Sequence, residues 1–149
     1  CSGCHVLDEG PAGYPLFTDF SYDNLGIPKN PENPATIANP DWADPGLGGF
    51  LMNAGYSEAV YSTEIGKFKV PSLRNVDKRP TSDFVKAYGH NGYFKSLAEI
   101  VHFYNTRDKG SWPAPETLAN INTTEVGNLK LNKVEEAWIV QFLKTLTDQ

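Results

Sequence analysis

Seven of the eleven prolines fall between residues 8 and 50, at positions 11, 15, 28, 31, 34, 40 and 45. Each removes a backbone donor and fixes φ, so regular helix or strand is not expected there. The sequence predicts a long irregular excursion over the surface. Such loops are usually functional or wrap a ligand. A chain of 149 residues is a single domain by length and buries about 68–70% of its unfolded surface. It does not need disulfide staples to hold such an excursion in place.

Regular structure is expected further on. Ala54 to Ile65 reads as a helix with Gly66 as its stop. Val70 to Val76 reads as an extended entry followed by a short helix from Pro71. Lys78 to Asp83 is a charged loop, and Gly89-His90-Asn91-Gly92 is a turn by composition. From Phe94, apolar residues recur at Leu97, Ile100, Val101 and Tyr104, one face of an α-helix. Residues 109–123 read as loop. The last helix is predicted from about Lys133 to Leu146, with Asn132 as N-cap and Glu135 as the capping-box acid. Trp138, Phe142 and Leu146 recur every fourth residue and are expected to form a buried stripe. No convincing alternating strand is present, so the fold class is mainly α with long irregular proline-rich loops.

Charge narrows the partners. Thirteen Lys and Arg against eighteen Asp and Glu leave a net charge of −5. That balance argues against nucleic acid and anionic lipid, which need a basic surface. A basic or neutral protein partner fits better. No run of 18 apolar residues occurs, so no membrane span is expected.

The only cysteines are Cys1 and Cys4, and His5 follows at once: Cys1-Ser2-Gly3-Cys4-His5. C-x-x-C-H is the attachment signature of c-type haem. Two thiols add to the porphyrin vinyl groups, the two-residue spacer sets their separation, and the adjacent imidazole becomes the proximal iron ligand. The other readings are half a zinc site or a redox dithiol. Zinc needs two further ligands, and His90 and His102 share no metal-binding spacing. A redox dithiol wants a βαβ setting, which the sequence lacks. One covalent haem c is therefore expected, held by a single domain over residues 1–149. Haem c is attached after export, so a periplasmic or other extracytoplasmic location follows. A functional motif on the first residue suggests a processed or truncated start.

Further segments join this motif. They are Leu16-Phe17-Thr18-Asp19-Phe20, Asn24-Leu25-Gly26-Ile27-Pro28 and Asn30-Pro31, then Gly66 to Val76 containing Pro71-Ser72-Leu73-Arg74-Asn75-Val76. Tyr88-Gly89-His90-Asn91-Gly92, Phe94 to Leu97, Val101-His102-Phe103-Tyr104-Asn105 and Phe142 to Thr147 complete the set. In that order they resemble the C-terminal haem domain of the bacterial di-haem cytochrome c peroxidase superfamily, including its MauG-type branch. The resemblance runs from Cys1 to the end and implies a cytochrome c-like haem domain. Family members carry two haem domains, and the C-terminal haem is typically the electron-entry centre. Here there is one C-x-x-C-H, and the helix that normally precedes it is missing. The chain is therefore expected to be part of a longer protein or a single-haem relative. Its partners would be a redox protein and, in the first case, a second haem domain or subunit. Asp77 to Val85 reads as an insertion. This neighbourhood frames an inter-domain calcium ion in the family, but one side of that interface is lacking, which leaves little ground for calcium here.

The sixth iron ligand separates electron transfer from open-site chemistry. The resemblance places the distal ligand, methionine in peroxidases and tyrosine in the MauG type, at Tyr104. The residues agree, since Tyr104 lies on the apolar face with Leu97, Ile100 and Val101 and its phenol needs a partner. Met52, the one methionine, is a second candidate as a thioether. His90, in a glycine-flanked turn, matches a family histidine near the haem and is a third. His102 lies off the Tyr104 face and reads as surface. Arg74 holds either a haem propionate, as the resemblance implies, or a surface carboxylate. Trp42, Trp112 and Trp138 read as packing rather than electron relays. The leading function is a single-haem electron carrier or electron-entry domain. The alternative is a haem enzyme, peroxidase or MauG-like, with His90 or Glu99 as distal acid–base group. A purely structural haem domain in a larger assembly ranks third.

Overall fold

The computed structural model describes residues 1–10 and 13–148. Pro11, counted in the excursion, lies outside them. The elements run β1 (Tyr22–Asp23), α1 (Pro34–Ala38), α2 (Gly46–Asn53), α3 (Glu58–Tyr61), β2 (Phe68–Lys69), α4 (Leu97–Thr106) and α5 (Lys133–Thr145). A 3-10 turn over Ser62–Glu64 extends α3. The result is a mostly helical small domain with one antiparallel ribbon, in which Tyr22 faces Lys69 and Asp23 faces Phe68.

Two helices supply the frame, and each begins with a complete capping box. The Ser96 hydroxyl accepts from Glu99 N, and Glu99 returns the bond to Ser96 N. Asn132 and Glu135 do the same for α5. Leu97, Val101 and Phe103 of α4 meet Leu143 of α5 in the core, with Ile27, Tyr88 and Phe94. Phe94 and Phe103 are essentially inaccessible, at 1% and 0% exposed. Ile139, Val140 and Leu146 pack against the same cluster.

The proline-rich excursion is less irregular than its composition suggests. α1 begins on Pro34, where a missing N–H costs nothing, and Asn33 caps it by accepting from Ala35 N. α2 begins after Pro45. Prolines here start helices rather than prevent them. The rest of the excursion is held by buried asparagines. Asn24 Nδ2 donates to Ala119 O at 2.6 Å, Asn30 Nδ2 to Asn91 O at 2.9 Å, and Asn91 Nδ2 to Pro28 O at 2.9 Å.

Three other expectations change. The helix expected over Ala54–Ile65 starts late, at Glu58, because Gly55 turns left-handed at φ 84° just after α2 ends. Val70–Val76 forms turns and no helix. The Trp138–Phe142–Leu146 stripe is not buried as a unit, with Trp138 66% and Phe142 48% exposed. The face of α5 turned to α4 carries Ile139, Val140, Leu143 and Leu146 instead. Fourfold spacing marks an apolar stripe but not the side that meets the core. Among the described residues, no helix is long and apolar enough to cross a membrane.

Candidate haem-attachment site

Cys1, Cys4 and His5 lie on one turn, closed by a bond from His5 N to Cys1 O at 2.8 Å. Both cysteines are free thiols, Cys1 exposed and Cys4 half-buried. The turn is tied to the next segment twice. Asp19 N donates to Cys4 O at 2.8 Å, and His5 Nδ1 lies 2.8 Å from Phe17 O. A carbonyl only accepts, so Nδ1 carries the proton and the Nε2 lone pair is available to a metal. Burial lowers the His5 pKa below its ordinary value, outweighing the bond to Phe17, which keeps the imidazole neutral. Phe17 has left-handed backbone, φ 54°, and its ring meets the edge of Phe142 at 6.1 Å.

Acidic groups surround the turn. Burial raises the Cys4 thiol pKa, and Glu125, Asp19 and Asp23 raise it further. Asn122 Nδ2 donates to both Asp23 Oδ2 and Glu125 Oε2 at 2.5 Å, which holds two of these carboxylates together.

Tyr104 sits on α4 among the core aromatics, 6.1 Å from Phe103 between ring centroids. Burial pushes its phenol pKa well above the ordinary value, and Cys4 is near enough to add to the shift, followed by Asp23. Its hydroxyl makes no hydrogen bond among the described residues. A half-buried phenol without a protein partner, near Cys4, is the second donor that the site offers.

The other candidates have surroundings of their own. The His90 ring stacks on Phe68 at 3.7 Å, and its Nε2 is 2.6 Å from Glu116 Oε2. That carboxylate also accepts from Asn91 Nδ2 at 2.8 Å and, through Oε1, from Asp44 N at 3.3 Å. Arg74 Nη2 pairs with Asp148 Oδ1 at 2.6 Å, and its guanidinium lies over the Tyr14 ring. Met52 ends α2, 48% exposed. His102 is on the surface, Nδ1 3.0 Å from Glu136 Oε1. Glu99 Oε2 accepts from Lys95 N and Ser96 N at the start of α4. The sequence reading missed Glu116. Its partners lie 25 and 26 residues away, and no local pattern marks it.

Two free thiols, an imidazole with its proton fixed on Nδ1, and a half-buried phenol without a protein partner are a donor set that fits haem. Among the described residues, no group of three His, Cys, Asp or Glu side chains gathers as a separate metal site.

No family model matches the chain. Over 100% of its length the chain is 34% identical to the methylamine utilization protein MauG of Paracoccus denitrificans and covers 39% of it. It is 31% identical to the cytochrome-c peroxidase IdrP1 of Denitromonas iodatirespirans, over 98% of this chain and 37% of that one. The crystal structure of the diheme peroxidase BthA from Burkholderia thailandensis superposes with a TM-score of 0.74 at 27% identity, covering 99% of this chain and 38% of that one. A point variant of BthA gives 0.80 at 28% identity. The chain thus spans well under half the length of the relatives it matches.

Proposed function

We propose that this chain, which belongs with MauG and the dihaem cytochrome c peroxidases by homology over its whole length, is an electron-transfer domain carrying one covalent haem c in an extracytoplasmic protein. The observation that carries this reading is the His5 tautomer. With Nδ1 held by Phe17 O at 2.8 Å, the ring is oriented and its Nε2 is presented as a proximal ligand. Cys1 and Cys4, both free, supply the two thiols of attachment. Bound haem would supply a one-electron ferric/ferrous couple.

The protein's own contribution is to orient and to exclude water. The Phe17 carbonyl fixes the proton on His5 and raises the basicity of the ring. Tyr104, half-buried against Phe103 and the core, would supply the second donor to the iron. Arg74 and His90 have protein partners in Asp148 and Glu116, so neither is needed at the iron in this reading. A redox protein is the proposed partner, with a second haem domain in the same assembly.

A haem enzyme, peroxidase or MauG-like, is the second reading, and Tyr104 favours it specifically. A phenolate ligand lowers the potential of the iron and makes it a poorer shuttle among high-potential carriers.

Two measurements test the proposal. A pyridine haemochrome spectrum and intact mass of the matured protein are expected to show one thioether-linked haem, lost in Cys4→Ser. Ferric absorption and EPR spectra of Tyr104→Phe are expected to differ from the parent in spin state or charge-transfer band. Identical spectra would remove Tyr104 as ligand. A methionine-to-iron band would then point to Met52, and rapid cyanide binding to an open enzyme site.

A further inference from the structure

We propose that Trp112 is the surface end of the electron route to and from the iron. The inference rests on Tyr104 as the iron-side donor. From Tyr104 the aromatic contacts continue outward: Phe103 lies 6.1 Å away and Trp112 a further 5.3 Å, edge-on at 87°. Both separations are within the range of packed aromatic pairs. Phe103 is fully buried, so no water interrupts the column. A second connection runs beside it. Trp112 Nε1 donates to Thr106 Oγ1 at 3.0 Å, and Thr106 is two residues along α4 from Tyr104. One indole is therefore joined to the site by ring contact and by a hydrogen bond onto a short stretch of helix.

At its other end the indole meets solvent. Trp112 lines a concavity of about 400 Å³ with His102, Thr106, Lys109, Gly110 and Ser111. Its volume is that of a small-ligand or side-chain pocket. Trp42 and Trp138 have no such pair of connections among the described residues. A core tryptophan needs neither an open concavity on one side nor an unpartnered phenol at the far end of its cluster. The step assigned to this port is the passage of one electron. A one-electron donor seated at the concavity is oxidised by one electron, ferric iron is reduced to ferrous, and no bond forms or breaks.

The test places a donor at the port of the matured protein. Ser111→His in a His102→Gln background creates a single histidine with an open side chain, since His5 is half-buried and the His90 side chain, 13% exposed, is paired with Glu116. A ruthenium–polypyridyl label on that histidine is photoexcited and reduced by an aromatic amine. The label then passes its electron to ferric iron, followed by absorbance. Trp112→Leu is expected to slow this transfer several-fold, Thr106→Val to slow it less, and Trp112→Phe to retain most of the rate. A Trp112→Leu rate equal to that of the labelled parent overturns the proposal. If Trp112→Leu does not fold, Trp112→Met, which keeps a large apolar side chain without a ring, carries the test, and an unchanged rate there has the same meaning. Thermal melting and the ferric spectrum identify variants that are merely unstable. The Tyr104 assignment fails by a different readout, the ferric spectrum of Tyr104→Phe, so the two failures are distinguishable.

Discussion

Glu136 joins the two long helices through a single carboxylate. Its Oε1 accepts from Asn105 Nδ2 at 2.6 Å and lies 3.0 Å from His102 Nδ1. Burial alone would raise its pKa, but these two bonds prevail and hold it below the ordinary glutamate value. The sign of the linkage follows. A depressed folded-state value contributes stability that is complete above the ordinary carboxylate range and is lost as pH falls through and below that range. Glu136→Gln is expected to cost about 1.5–3 kcal/mol at neutral pH and to flatten the acid limb, as measured by urea denaturation across a pH series. A cost that persists unchanged at low pH would contradict this account. Sequence alone identified Glu135 of the same helix, because a capping box is a local rule. It did not identify Glu136, whose partners lie 31 and 34 residues away. The residues proposed for attachment, Cys1, Cys4 and His5, stand out in the sequence for the same reason as Glu135. All three fall within five positions, and their chemistry fixes their spacing.

At the level of elements, the short helix α2 is set by close approach to its neighbours rather than by apolar pattern. Gly48 of α2 faces Ile65, and a Cβ there would stand 2.5 Å from Ile65 N and 2.7 Å from its Cα. Glycine to alanine in a helix ordinarily gains about 0.5–1 kcal/mol. Here the sign reverses, because the obstacle is backbone that cannot swing aside. Gly48→Ala is expected to destabilise by about 1–3 kcal/mol, read as a fall in Tm. A stabilised variant would mean that α2 is free to move off residues 65–67. The sequence rules anticipated α4 and α5, both long and capped, but divided the region of α2 and α3 wrongly. The expected irregular stretch to residue 50 hides α2, whose Gly46, Gly48 and Gly49 are explained only by their neighbours. Gly46 faces Lys67 O, and Gly49 faces the Pro45 ring. The α5 stripe was misread for a related reason, since periodicity does not name the face that another element covers.

Across the whole molecule, buried polar side chains do what a larger apolar core would otherwise do. Glu116, with its side chain 2% exposed, ties the 89–92 turn to the loop at Asp44 through His90, Asn91 and a backbone amide. Removing it takes one of two acceptors from Asn91 and the acceptors of His90 and of Asp44 N. Glu116→Ala is therefore expected to cost about 2–3 kcal/mol, with new protease cleavage concentrated between residues 29 and 45. Cleavage spread evenly along the chain would show that the pin is not local. None of this was visible in the sequence. Asn30, Asn91 and Glu116 look like ordinary loop residues, and only the tertiary path makes them interior.

The bond from His5 to Phe17 has a consequence for how variation in this chain should be understood. The acceptor is main chain, so no side-chain replacement at position 17 deletes it. With φ at 54°, that position accommodates glycine or asparagine as readily as an aromatic ring. A saturation scan would then register at residue 17 only the loss of a buried ring, although the carbonyl there sets the tautomer of the imidazole. The constraint is inherited as a course of the polypeptide and not as a letter. Insertions or deletions between residues 5 and 17 would disturb it where substitutions would not.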